Sequence, residues 1–165
     1  SSAASDVYKR QIQVGMMHLC WNTLLKRLTV KTTEFKTARC VLKWDDRYLL
    51  VVHRGQLRGS SRWGLPGGHV EPGENGIETI RRELQEELSI NPCQFTMIGD
   101  FFYKRHHHRI YGAEITESIA KYNHRELLKI AWFPLASVES LALQGELHAG
   151  YEADAITAFN VISSE

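Results

Sequence analysis

Gly68 to Ile90 reads GHVEPGENGIETIRRELQEELSI, a glycine-bounded loop that runs into a helix rich in glutamate, with an arginine pair inside it. Glu83, Glu86 and Glu87 stand at i, i+3 and i+4. On an α-helix they share one face, about 100° wide, and converge on one volume. Ile77, Ile80, Leu84 and Leu88 fall on the neighbouring face, so one stripe can bury against a sheet while the carboxylates line a cleft beside it. Mg²⁺ takes hard oxygens of this kind, usually one or two carboxylates with positions left for water and phosphate. The alternative is a solvated acidic face. Against it, like charges within one turn repel by roughly a few tenths of a kcal/mol per pair, and only Arg81 and Arg82 compensate locally. Leu65-Pro66-Gly67-Gly68 leads into the loop, and its glycines let backbone approach a metal or phosphate closely. Asn75 with Glu78 three residues on is a capping-box start for the helix.

This segment resembles the Nudix box, whose pattern is Gly, five residues, Glu, seven residues, then Arg-Glu-U-x-Glu-Glu-x-Gly-U with U aliphatic. Gly68, Glu74, Arg82, Glu83, Leu84, Glu86, Glu87 and Ile90 occupy pattern positions, and Ser89 stands where the pattern has its late glycine. That position lies just past the helix end, where a left-handed residue is common. A non-glycine residue there costs up to about 1 kcal/mol, a small stability loss that removes no ligand. The resemblance covers about Phe35 to Ile162 and implies an α/β fold, the Nudix α/β/α sandwich around a mixed sheet with a catalytic loop-helix-loop.

Carried over residue by residue, the resemblance implies that the Gly67 or Gly68 carbonyl and Glu83, Glu86 and Glu87 hold divalent metal, Mg²⁺ with Mn²⁺ as an alternative. Glu74 and Arg82 would brace the loop against the helix. Such a metal neutralises diphosphate oxygens and lowers the pKa of an attacking water. Glu83 is one candidate for the base. Glu126 is the other, because Glu126-Leu127-Leu128-Lys129-Ile130-Ala131-Trp132-Phe133-Pro134-Leu135 resembles an acidic-to-tryptophan stretch that many members carry after their later strands. An exposed loop glutamate is the alternative for Glu126.

The activity so implied is Mg²⁺-dependent hydrolysis of a diphosphate bond in a nucleoside diphosphate linked to another group, in nucleotide-pool or metabolite housekeeping. A modified nucleoside triphosphate is favoured by the family alone. A non-catalytic sensor of a nucleotide-linked metabolite is the alternative, as is a hydrolase of ADP-ribose, a nucleotide sugar or a dinucleoside polyphosphate. Every box carboxylate is present, which favours the enzyme. Some ADP-ribose hydrolases carry a proline, and some dinucleoside-polyphosphate hydrolases a tyrosine, where this chain has His106 and His108, which lowers both assignments.

Three further groups bear on substrate choice. Arg54, Arg58 and Arg62 space cations through the loop before Trp63, either to bind phosphate bidentately or as a solvated basic loop. Trp63 either stacks on a base or packs, with packing favoured. His106-His107-His108 cannot chelate one ion from a strand, because neighbours point to opposite faces. The run is expected in an exposed turn, with His108 within reach of substrate phosphate.

At 165 residues and 43% hydrophobic, the chain is expected to form one globular domain with a full core. A formal charge of +1 argues against a general nucleic-acid binder and leaves room for a local phosphate pocket. Cys20, Cys40 and Cys93 form an odd, widely spaced set that suits reduced thiols and a cytoplasmic setting. No run approaches the ~18 apolar residues of a transmembrane helix. Monomer or homodimer stays open.

Ser1 to Gln11 (SSAASDVYKRQ) back-translates in frame to a transposase-type sequencing adapter and is set aside as an expected artefact, disordered, with Met16 or Met17 as a start or the natural N-terminus missing. Residues 12–33 are read as an amphipathic helix and linker, from Val14, Met17, Trp21, Leu24, Leu25 and Leu28 at helical spacing. The Nudix domain is placed at 34–163. Within it, strands are expected over Glu34–Lys43 and Tyr48–His53 around Trp44-Asp45-Asp46-Arg47, then over Gln94–Tyr103 and Arg109–Thr116. A short last strand, Trp132–Leu135, precedes a loop and a helix from about Tyr151 to Ile162, with Ile156, Phe159 and Ile162 facing inward.

Overall fold

The computed structural model describes residues 34–55 and 61–164. The expectations for residues 1–33, Cys20 among them, and for Arg58 lie outside the described residues. The chain divides into two units, Ser1–Thr33 and Glu34–Glu165, and the sheet and its helices belong to the second.

Strands β1 (Phe35–Trp44) and β2 (Arg47–His53) form the expected hairpin, each within a residue or so of its predicted bounds. Asp45 takes the left-handed conformation at the turn, with φ 54°, which aspartate tolerates because its short side chain can bond locally. A short strand β3 (Gly67–His69) leads into helix α1 (Gly76–Leu88). Strands β4 (Thr96–Tyr103), β5 (His106–Glu114) and β6 (Leu127–Pro134) follow, then helices α2 (Leu135–Leu143) and α3 (Glu152–Ile162).

The sheet runs in the order β4-β5-β1-β2-β6, with β3 also paired to β1. β1 and β5 are parallel and the other pairings antiparallel, which makes the sheet mixed as expected. Strand alternation then sorts the core into two layers. Ala38, Cys40, Leu42, Leu49 and Val51 meet Ile80, Leu84 and Leu88 of α1. Val41, Tyr48 and Leu50 turn the other way, against Val138 of α2 and Ile156 and Phe159 of α3. Each such Leu, Ile or Phe is worth about 1.5–3 kcal/mol when fully buried. Gly112 on β5 leaves room for α3, since a Cβ there would collide with the Phe159 ring.

Helix α1 begins where the capping box predicts. Asn75 Oδ1 accepts from the N–H groups of Ile77 at 2.9 Å and Glu78 at 3.0 Å, and Glu78 Oε2 accepts from the Asn75 N–H at 2.8 Å. It ends on Ser89, left-handed at φ 56°.

Four expectations are corrected. The three histidines do not form a turn: β5 starts at His106, and Lys104-Arg105 makes the two-residue connection, with Tyr103 paired to His106. Both turn residues are left-handed, at φ 47° and 68°, which costs a non-glycine residue about 1 kcal/mol or more. β6 begins at Leu127 instead of Trp132, because β2 offers it a ladder from His53 back to Arg47. Leu135–Leu143, read as loop, is a helix that buries Val138 in the α3 layer. Ile162, expected inward, is exposed at the end of α3. Among the described residues no helix is long and apolar enough to cross a membrane.

Candidate functional site

One face of α1, β3, the end of β2 and the turn before β6 enclose a cleft of about 630 Å³, lined by Glu83, Glu87, Gly67, Gly68, His53 and Glu126 among others. Its deepest carboxylate is Glu87, with 2% of the side chain exposed. A buried carboxylate must be satisfied. Glu87 Oε2 accepts the Gly67 N–H at 2.9 Å, and Oε1 lies 2.8 Å from His53 Nε2. His53 reaches it because the pleat of β2 turns His53 to the same side as Leu49 and Val51, the face that α1 covers. Arg39 Nη1 donates to the Leu65 carbonyl at 2.9 Å and lies 3.3 Å from the same histidine nitrogen.

The two glycines are what allow the helix to sit so close. Gly67 has φ 118°, and a Cβ on it would strike the Ala38 carbonyl oxygen. A Cβ on Gly68 would run into the Glu83 carboxylate.

Arg82 organises the rest of the acidic face. Its Nε and Nη2 bind Glu74 as a fork, at 2.7 and 3.1 Å, and Nη2 also reaches the His69 carbonyl at 3.0 Å. Nη1 donates to Glu83 at 3.0 Å and Glu86 at 3.2 Å. Thr79 adds a hydroxyl donor to Glu74 at 2.9 Å. The Arg82 guanidinium, through its hydrogen bond, holds the Glu74 carboxyl down at about 2. Glu83 is 13% exposed, and burial pushes its carboxyl up, with repulsion from Glu87 and Glu86 adding to the rise and the Arg82 hydrogen bond opposing it. Glu86 is 48% exposed and is not among the residues that line the cleft.

Glu126 faces these carboxylates from the turn before β6. Burial pushes its carboxyl up first, then repulsion from Glu87 and Glu86. Asn123 Nδ2 donates to its side chain at 2.8 Å, the Asn123 N–H binds the Glu87 carbonyl at 2.8 Å, and the Arg54 N–H binds the Glu126 carbonyl at 2.8 Å. The turn is therefore tied to α1 and β2 by main-chain bonds. Glu126 belongs to the cleft instead of the open surface.

Glu83, Glu86, Glu87 and Glu126 offer only hard oxygens and repel one another, so the donor chemistry fits a divalent cation. Among the described residues no three acidic, histidine or cysteine side chains converge on one point as they stand. Arg82 draws Glu83 and Glu86 to one side while His53 and Gly67 hold Glu87, so a bound cation would have to win carboxylate oxygens from those partners.

The residues expected to choose the substrate divide. Arg54 lines the cleft, and its Nε donates to the His124 carbonyl at 2.5 Å. Arg62 is not among the lining residues, though its charge reaches His148. Trp63 packs edge to face on Phe133 at 5.0 Å, with Lys129 Nζ 4.5 Å from the ring centroid. It is not among the residues that line the cleft. His108 is likewise outside the lining: Nδ1 meets the Thr37 hydroxyl at 2.7 Å and Nε2 the Tyr103 carbonyl at 3.1 Å.

Arg39, His53, Lys104 and His148 line the cleft and were not singled out from sequence. Arg39 had a usable signal, a charge inside the apolar run of β1. The other three carry none, since strand register and a loop after α2 bring them in.

The family profile described as NUDIX domain matches residues 34–153. A bis(5'-nucleosyl)-tetraphosphatase from Sus scrofa is 49% identical over 63 residues, 38% of this chain and 43% of that protein. A nucleoside triphosphatase NudI from Salmonella agona is 44% identical over 55 residues, 32% of this chain and 39% of that protein. The chain thus spans less than half the length of these relatives. Among solved structures, the NUDIX domain of Shewanella oneidensis NrtR complexed with ADP ribose has a TM-score of 0.62 at 20% identity, covering 81% of this chain and 90% of that one. A C. elegans Ap4A hydrolase has a TM-score of 0.58 at 21% identity, covering 78% and 96%. At those identities the likeness to the solved structures shows the fold alone.

Proposed function

The chain belongs to the Nudix family, and on that premise we propose that it hydrolyses a diphosphate bond in a nucleoside diphosphate linked to another group, with Mg²⁺, or Mn²⁺ in its place. What carries the reading is that Glu83 and Glu87 of α1 and Glu126 of a separate turn line one cleft with Gly67 and Gly68. Matches to a tetraphosphatase and a nucleoside triphosphatase support a phosphoanhydride as the scissile bond. The free thiols of Cys40 and Cys93 suit a reducing cytoplasm as the setting.

Glu83, Glu86 and Glu87 would hold the cation, together with a carbonyl of Gly67 or Gly68. Bound there, a divalent cation supplies charge neutralisation for the diphosphate oxygens and lowers the pKa of the attacking water. Arg82 steers Glu83 and Glu86 and keeps Glu74 ionised as the brace of the loop. Glu126 takes the proton from water, because its carboxyl stands off α1 and carries a raised affinity for protons. Glu83 is the competing base. Arg54 at the cleft edge orients substrate phosphate.

The deciding measurement is Mg²⁺-dependent turnover of a panel of nucleoside triphosphates, nucleotide sugars, ADP-ribose and dinucleoside polyphosphates by the wild type, Glu87→Gln and Glu126→Gln, with products resolved to show the bond broken. Glu87→Gln should lower turnover by about a thousandfold or more while keeping its bond to the Gly67 N–H, since the amide oxygen still accepts. Glu126→Gln should lower kcat by about 10²–10⁴ and leave metal affinity unchanged. A Glu126→Gln enzyme with native kcat would transfer the base to Glu83. Tight binding of a panel member without turnover would replace the hydrolase by a sensor.

A further inference from the structure

The β4–β5 hairpin turns on two consecutive left-handed residues, Lys104 and Arg105, at φ 47° and 68°. Two-residue hairpins of this kind favour Asn-Gly or Asp-Gly, since glycine adopts the conformation freely and asparagine nearly so. Neither lysine nor arginine eases it. Strain of this sort persists only where the surrounding structure holds it, and it clusters at functional sites.

Lys104 lines the cleft that holds Glu83, Glu87 and Glu126, together with Arg39 and His148. Among the described residues its ammonium has no carboxylate partner, and its neighbour is the Tyr103 ring, 5.1 Å to the centroid. The frame around it is fixed. Tyr103 Oη donates to the His148 carbonyl at 3.1 Å, and the buried Glu152 accepts the N–H groups of Ala149 at 2.9 Å and Gly150 at 2.7 Å. His148 itself is held neutral at pH 7: burial first, then the positive charges of Arg39 and Lys104, bring its pKa down to about 4. Among the described residues Lys104 and Arg39 thus bring positive charge to this part of the cleft, tempered at Arg39 by the buried Glu152 carboxylate, beside the acidic part.

We propose that Lys104, with Arg39 and the His148 loop, forms the subsite for a substrate phosphate outside the cleaved pair, so that the preferred substrate carries three or more phosphates in a row. This extends, and rests on, the reading of the cleft as a metal-diphosphate site. A substrate with only a diphosphate, such as a nucleotide sugar, would leave Lys104 without a partner. A triphosphate or longer chain would engage it.

The probes are inorganic tripolyphosphate and pyrophosphate, each titrated calorimetrically with Mg²⁺ into the full chain, Lys104→Asn and Arg105→Gly. Either substitution relaxes the turn and should raise Tm by about 2–4 °C. A fall in Tm for both would overturn the premise that the turn is strained. The wild type and Arg105→Gly should bind tripolyphosphate about tenfold more tightly than pyrophosphate, the scale of one charge-assisted hydrogen bond. Lys104→Asn should lose that preference, its affinity for tripolyphosphate falling about tenfold further than its affinity for pyrophosphate. A preference kept intact in Lys104→Asn, or one missing from the wild type while pyrophosphate still binds, overturns the subsite alone. Failure of the wild type to bind either probe overturns both the subsite and the metal-diphosphate reading beneath it.

Discussion

Arg82 divides one guanidinium among three carboxylates, and the division assigns them different chemistry. Glu74 receives the forked pair and is locked as an anion, while Glu83 shares one nitrogen with Glu86 and is pushed toward the neutral form by burial. Because Glu74 titrates at about 2 in the folded chain and near its ordinary value unfolded, the unfolded state binds the proton first as pH falls. The stabilisation is therefore fully present above the ordinary glutamate range and is lost as pH drops through about 2. Glu74→Gln should melt below the wild type at pH 6 and the gap should close between pH 5 and 2; a gap constant over that range would refute the pairing. The box residues were legible because their spacing alone assigns them to one loop and one helix face. His53 and His148 were not, since only the pleat of β2 and the loop after α2 bring them to the cleft.

Helix α1 was readable from end to end because its signals are local: a capping box, an apolar stripe and a residue due to turn left-handed after Leu88. β3, α2 and the start of β6 were not, for a common reason. Three residues of glycine and histidine make a strand only because β1 presents an open edge, and Leu127 to Ala131 pairs because β2 is already there. Helix α2 lacks a side-chain cap and buries only Val138, so neither end nor face announces it. Two substitutions check how well these elements are understood. Ser89→Gly should stabilise the chain by about 0.5–1 kcal/mol without changing turnover, because glycine adopts φ 56° at no steric cost. Gly112→Ala should destabilise it by about 1–3 kcal/mol, since the added methyl meets the Phe159 ring and α3 must shift. Chemical denaturation reads both, and an unaffected Gly112→Ala midpoint would deny that β5 and α3 touch so closely.

The sheet order places β2 between β1, which carries β3 and its glycines, and β6, which carries the Glu126 turn on its leading end. Carboxylates far apart in sequence are thereby brought to one cleft, and their mutual repulsion is a standing cost of the fold. A cation that binds the folded chain and not the unfolded one offsets that cost by linkage. At about a hundred times its Kd, the gain is about 2.7 kcal/mol. For a domain of this size each kcal/mol moves Tm by roughly 2–4 °C, so saturating Mg²⁺ should raise it by about 5–10 °C. Glu87→Gln should cancel most of the rise, because it removes a negative charge from the cleft, and should itself melt near the wild type without Mg²⁺, because the amide keeps the Gly67 bond and relieves repulsion. Sodium chloride at matched ionic strength separates binding from screening, which acts on exposed charges and falls short of a buried set. Equal shifts with Mg²⁺ and with sodium, or an undiminished Mg²⁺ shift in Glu87→Gln, would mean that these carboxylates are not where the cation binds.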